Sequence, residues 1–167
     1  MHTRKMEPTF KLTQTVDKAA AYKEFIDGFR PFIEGETDAI SIYANASAAL
    51  KEAFGFFWVG FYIVRGDELR LGPFQGNVAC MHIKHGRGVC GTAWAEARTQ
   101  VVPDVEQFPG HIACSSLSRS EIVVPLFRNG EVIAVLDIDS EELNTFDDID
   151  KQYLEEMCEV IAKNIAD

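Results

Sequence analysis

Two apolar runs broken by a tight polar step constrain this chain more than anything else in it. One run reads Glu121-Ile-Val-Val-Pro-Leu-Phe127 and the other Glu131-Val-Ile-Ala-Val-Leu-Asp-Ile-Asp139, with Arg128-Asn129-Gly130 between them. Strand-forming residues around an Asn-Gly step predict a β-hairpin. Side chains alternate along a strand, so Val132, Ala134, Leu136 and Ile138 share one face, and Ile133, Val135, Asp137 and Asp139 the other. Both faces are largely apolar, so both must be covered. Helices cover one, and the long loop region of the chain roofs the other, where a cavity would be a ligand pocket.

Carboxylates in such a setting need a reason. Asp137 and Asp139 point the same way, but the direction of Glu121 depends on register, and a one-residue slip reverses it. A two-residue turn at Asn129-Gly130, with no bulge, turns Glu121 away from both aspartates. A three-residue loop, Arg128-Asn129-Gly130, pairs Phe127 with Glu131 and sets Glu121 across from Asp137. The expectation is the three-residue loop, with the three acids converging.

The rest of the chain reads as helices over Val16–Phe32 and from Thr37 to Phe54, strands over Trp58–Val64 and Leu69–Phe74, and a strand-plus-loop stretch over Val78–Gly88. A short helix over Gly88–Ala97, a short strand at Val101-Val102, a loop from Val105 to Ser120 and a last helix from Asp147 to Ile165 follow. Hairpins dominate, which predicts an α+β fold with a mostly antiparallel sheet. At 167 residues, with no repeat or linker, the reading is one domain over 14–167 behind a flexible arm over 1–13. A net charge of −10 argues against nucleic acid and anionic membranes as partners. The apolar runs are too short to span a bilayer, and no signal region opens the chain, so the expected location is the cytoplasm.

Thiols stay reduced in that compartment, so cysteines gathered in one loop-rich third suggest redox chemistry or a metal. Cys80, Cys90 and Cys114 are gathered in this way; Cys158 sits among apolar residues at helical spacing and reads as core. Cys80, His82, His85 and Cys90 match no common zinc spacing, so no metal is expected. Three converging acids cannot all stay charged without cost, so at least one should hold a proton near neutrality. A proton donor beside a thiolate suits reduction of a small polar acceptor such as a sulfoxide or peroxide. His111 or Arg119 could lower the pKa of the Cys114 thiol.

The stretches Leu71-Gly-Pro-Phe-Gln-Gly76, Gly86-Arg-Gly-Val-Cys-Gly91, Gly110-His-Ile-Ala-Cys114, Ser120-Glu-Ile-Val123 and Val135-Leu-Asp-Ile-Asp-Ser140 closely resemble the free methionine-(R)-sulfoxide reductases, which are stand-alone GAF domains. The resemblance runs in order from about Gly35 to Ala162. It implies a six-stranded antiparallel GAF sheet and a homodimeric cytosolic enzyme that reduces free methionine-(R)-sulfoxide, holds no cofactor and is recharged by thioredoxin. It further implies that Cys114 attacks, that Cys80 resolves, and that Cys90 is a third cysteine able to join a relay. Glu121, Asp137 and Asp139 match the acids that hold the sulfoxide oxygen and the amino group. Trp58 and Tyr62, an even number of residues apart on a strand and so on one face, match the aromatic wall around the methyl group. Ser115 replaces the acid that usually follows the attacking cysteine, and His82-Ile83-Lys84 replaces the usual Arg-Ile-Pro.

Overall fold

The computed structural model describes residues 8–13 and 17–166. The elements are α1 (Lys18–Ile33), α2 (Ala39–Phe54), β1 (Trp58–Arg65), β2 (Glu68–Gln75), β3 (His82–Lys84), α3 (Gly88–Glu96), β4 (Gln100–Val102), β5 (Ser120–Arg128), β6 (Glu131–Ser140) and α4 (Asp148–Asn164). A single 3₁₀ turn over Val105–Gln107 interrupts the expected loop. The strands form one six-stranded sheet in the order β3-β2-β1-β6-β5-β4, and each neighbouring pair is antiparallel.

Local chemistry sets the helix ends. The Asp38 carboxylate accepts the Ser41 backbone N–H at the start of α2, and Gly55 closes that helix with φ 66°. Asp147 and Asp150 form a reciprocal capping box at the start of α4. Asp150 also accepts from Tyr22 Oη at 2.6 Å and from Lys18 Nζ at 2.7 Å, which ties α1 to α4. Val16 lies outside the described residues. Residues 8–13, expected as part of a loose arm, form no helix or strand, yet Phe10 packs its ring on Phe25, Phe29 and Phe32.

The sheet divides two apolar layers. Helices α1, α2 and α4 cover the face that carries Val59, Phe61, Ile122, Leu136 and Ile138. The opposite face, with Trp58, Tyr62, Val123 and Val135, packs against Ile83, Val89, Cys90 and Ala93. Helix α3 therefore joins the loops in roofing the acid-bearing face, where loops alone were expected. That close approach needs Gly91, because a Cβ there would sit 2.5 Å from the Lys84 carbonyl oxygen. Gly91→Ala should cost about 1–3 kcal/mol of stability, the usual range for overpacking, read as a lower urea midpoint.

The hairpin corrects the expected register. Asn129 (φ 51°) and Gly130 (φ 79°) make a two-residue turn that pairs Arg128 with Glu131 and Phe127 with Val132. Asn tolerates the left-handed region and Gly adopts it freely, and the twist of such a turn matches the strands. A bulge between Leu126 and Phe127 then shifts the register, so Leu126 pairs with Ala134. The extra residue, Ile133, restores the parity that the shorter turn would have lost. Glu121 ends opposite Asp139, not Asp137, while Val123 faces Asp137. The three acids still share a face.

Candidate active site

The site forms where the adjacent central strands β1, β6 and β5 end beneath α3 and two loops. Trp58 pairs with Asp139 and Gly60 with Asp137 across the β1–β6 ladder, so the aromatic residues and acids line one surface. The Trp58 and Tyr62 rings stack at 6.1 Å between centroids. Their polar ends hold the loop between β2 and β3. Trp58 Nε1 donates to the Asn77 carbonyl and Tyr62 Oη to the Cys80 carbonyl, each at 2.9 Å. The expected aromatic wall thus also fixes the backbone that carries Cys80.

Cys80 and Cys114 are joined by a disulfide, with Cα atoms 5.5 Å apart and a sequence separation of 34. The bond closes the β2–β3 loop onto the segment before β5. Beneath it lies a cleft of ≈ 50 Å³ bordered by Trp58, Cys90, His111, Glu121, Asp137 and Asp139. That is room for a few water molecules.

Glu121 and Asp137 are each only 6% exposed. Burial, reinforced by the charges of Asp137 and Asp139, pushes the Glu121 carboxyl well above the usual carboxylate range. Asp139 is raised well above its ordinary value by burial and by Asp137, with Ser118 opposing. Asp137 is raised by burial, while its contacts with Glu121 and Cys90 pull the other way. The trio is therefore a proton store with an ionised share, as expected of acids crowded in a poorly solvated cleft. One Asp137 oxygen, Oδ1, is buried without a hydrogen-bond partner. An uncompensated acceptor there is a seat for a cation or donor.

Cys90 opens α3 on the same cleft. Its Sγ and carboxylate oxygens of Glu121 and Asp137 all lie within 4.8 Å of one another. Burial first, then Asp137, raises its thiol well above the ordinary range. His111 borders the same cleft as Cys114. Its Nε2 stands 4.0 Å from Glu121 Oε2, and burial lowers its pKa, which favours the neutral ring. Arg119 is exposed. His82 pairs with Glu68 at 3.0 Å, and His85 packs edge-on against Trp94. With Cys80 in the disulfide, these residues do not form a metal-ligating group among the described residues. Cys158 is buried in the helix-side core, as its spacing indicated. Sequence reasoning missed Ser118 on Asp139 and the His111–Glu121 approach. Both come from an irregular segment, where no periodicity could have pointed to them.

A family model described as a GAF domain matches residues 36–166. GAF domain-containing protein A of Dictyostelium discoideum is 54% identical over 145 residues, which is 86% of this chain and 92% of that protein. The free methionine-R-sulfoxide reductase of Escherichia coli is 43% identical over 152 residues, 90% of this chain and 92% of that one. Among solved structures, free methionine-R-sulfoxide reductase from Neisseria meningitidis in complex with its substrate superimposes with a TM-score of 0.89 at 54% identity, covering 92% of this chain and 93% of the other. The chain belongs to the GAF-domain family of free methionine-R-sulfoxide reductases.

Proposed function

We propose that this protein reduces free L-methionine-(R)-sulfoxide to L-methionine at the Cys80–Cys114 cleft. One observation carries the reading: a disulfide seals a pocket lined by the buried acids Glu121 and Asp137 and the half-buried Asp139, whose carboxyls are pushed up by their crowding and burial. In the reduced enzyme the Cys114 thiolate attacks the substrate sulfur while Glu121, or Asp139 beside it, gives a proton to the oxygen. The S–O bond breaks as the hydroxyl passes to the Cys114 sulfur, the bond between the two sulfurs opens, methionine leaves and Cys114 becomes a sulfenic acid. Cys80 then attacks that sulfur, forming the disulfide and releasing water. Two thiols are oxidised, one sulfoxide is reduced, and an external dithiol of the thioredoxin class resets the pair.

The unpartnered oxygen of Asp137 suits the substrate ammonium, and Trp58 and Tyr62 suit its methyl group. Buried polar groups left unpaired are costly, so a substrate lacking a free amino group is rejected. The family resemblance adds Cys90, a third thiol bordering the cleft, as able to join a relay. The family resemblance extends the proposal to one GAF domain over 14–167, a homodimer, a cytoplasmic location and no resident cofactor. Among the described residues no helix is long and apolar enough to cross a membrane.

The test is methionine release from three substrates: the free R epimer, the free S epimer and the R-sulfoxide inside a peptide, each with a dithiol. Turnover is expected with the first alone. Equal turnover of the peptide overturns the reading. Cys80→Ser should release about one methionine per chain and then stall with thioredoxin, because the sulfenic acid has lost its resolving thiol. Steady cycling by that variant removes Cys80 from the role.

A further inference from the structure

The three side chains Cys90, Glu121 and Asp137 form a donor set that substrate chemistry alone does not require. Their Sγ and carboxylate oxygens converge within 4.8 Å. In a tetrahedral zinc site, bonds of about 2.0–2.3 Å put donors roughly 3.3–3.8 Å apart, so closure by about an ångström suffices. All three residues are buried, and Asp137 Oδ1 is buried with no hydrogen-bond partner. Each sits on a regular element, α3, β5 or β6, rather than on the loops that the disulfide clamps. The cradle is therefore independent of the redox state of Cys80 and Cys114. His111 Nε2 stands 4.0 Å from Glu121 Oε2 but is not one of the converging donors.

We propose that this cluster is a zinc-class divalent cation site, inhibitory rather than catalytic, built from Cys90 Sγ and the carboxylates of Glu121 and Asp137. One sulfur and two oxygens select a borderline ion such as Zn²⁺ over Mg²⁺ or Ca²⁺, which take oxygen ligands. The ion relieves the repulsion of the crowded carboxylates, and binding displaces the Cys90 proton and any proton held by Glu121 to solvent. Inhibition rests on the functional reading above, because the ion takes the seat assigned to the substrate ammonium and ties up the acid that protonates the sulfoxide. The site itself does not rest on that reading.

The experiment uses the full chain in its disulfide form, where Cys80 and Cys114 cannot bind metal. Zn²⁺ binding is followed by elemental stoichiometry and by competition with a chromogenic chelator, and Co²⁺ is the spectroscopic probe. One ion per chain and a thiolate-to-cobalt charge-transfer band are expected. Outer-shell changes at metal sites cost about 10–100-fold, so losing a direct ligand in Cys90→Ser or Asp137→Asn should weaken binding by at least about 100-fold. Both replacements are near-isosteric, and their unfolding midpoints show whether the fold persists. Cys158→Ser, on the other side of the sheet, should bind like the parent. No binding at micromolar Zn²⁺, or binding that survives both ligand replacements, overturns the site. Because no substrate is present, these outcomes are separate from any failure of the reductase reading. In the reduced enzyme, methionine sulfoxide should raise the apparent Kd for Zn²⁺; no such competition overturns the inhibitory role.

Discussion

Cys114→Ser is expected to bring turnover of free methionine-(R)-sulfoxide down to background, a loss on the order of 10⁴-fold or more. A serine hydroxyl fits the same space but stays protonated at neutral pH, and its oxygen cannot form the sulfenic acid from which Cys80 makes a disulfide. The loss should appear in the single-turnover release of methionine as well as in kcat, since the first chemical step is missing. This separates the attacking residue from the resolving one, whose removal still permits one turnover. The disulfide must vanish in the variant, leaving Cys80 free to react with a thiol reagent. Unchanged methionine release by Cys114→Ser would sink the assignment. An unfolding midpoint close to that of the reduced parent excludes collapse of the fold as the cause.

Glu121→Gln should lower kcat by about 10²–10⁴-fold, the usual worth of a positioned general acid. The isosteric amide preserves shape but cannot supply the proton. Burial and the neighbouring Asp137 and Asp139 raise the Glu121 pKa, so the useful protonated form persists towards neutrality and is lost as pH rises through the raised value. Formation of the Cys114 thiolate has the opposite sign, so the parent rate should rise and then fall with pH. The alkaline fall should disappear in Glu121→Gln, and an unchanged profile would remove Glu121 as the acid. Stability falls in the same direction. A carboxyl with a raised folded-state pKa binds its proton more tightly in the native chain, so stability declines as pH rises towards that pKa. The Gln variant should therefore unfold later than the parent at mildly alkaline pH. The site keeps a destabilising cluster because its chemistry requires one.

The acid trio shows how far the linear order reaches. Alternation along residues 131–139 already puts Asp137 and Asp139 together, and apolar faces on both sides require two covering layers. Caps and breakers such as Asp38 and Gly55 mark helix ends by purely local chemistry. The position of Glu121 is different. It depends on whether the turn has two or three residues and on whether a bulge follows. The convergence was expected through a three-residue loop, but it arises from a two-residue Asn129-Gly130 turn and an extra residue at Ile133. Both routes give the same parity, yet they predict different partners, and Glu121 faces Asp139.

The amino-acid order by itself determined the elements, the two-layered covering of the sheet, and the pairing of Asp137 with Asp139 on one face, because these follow from periodicities of a few residues. Family-specific motifs in that order also carried the reductase resemblance. Only the tertiary structure decided that α3 lowers Cys90 onto the acids, that Trp58 and Tyr62 hold the Cys80 loop, and that His111 meets Glu121. Those contacts join segments far apart in sequence, across irregular loops, and their geometry depends on how the layers pack rather than on any local pattern.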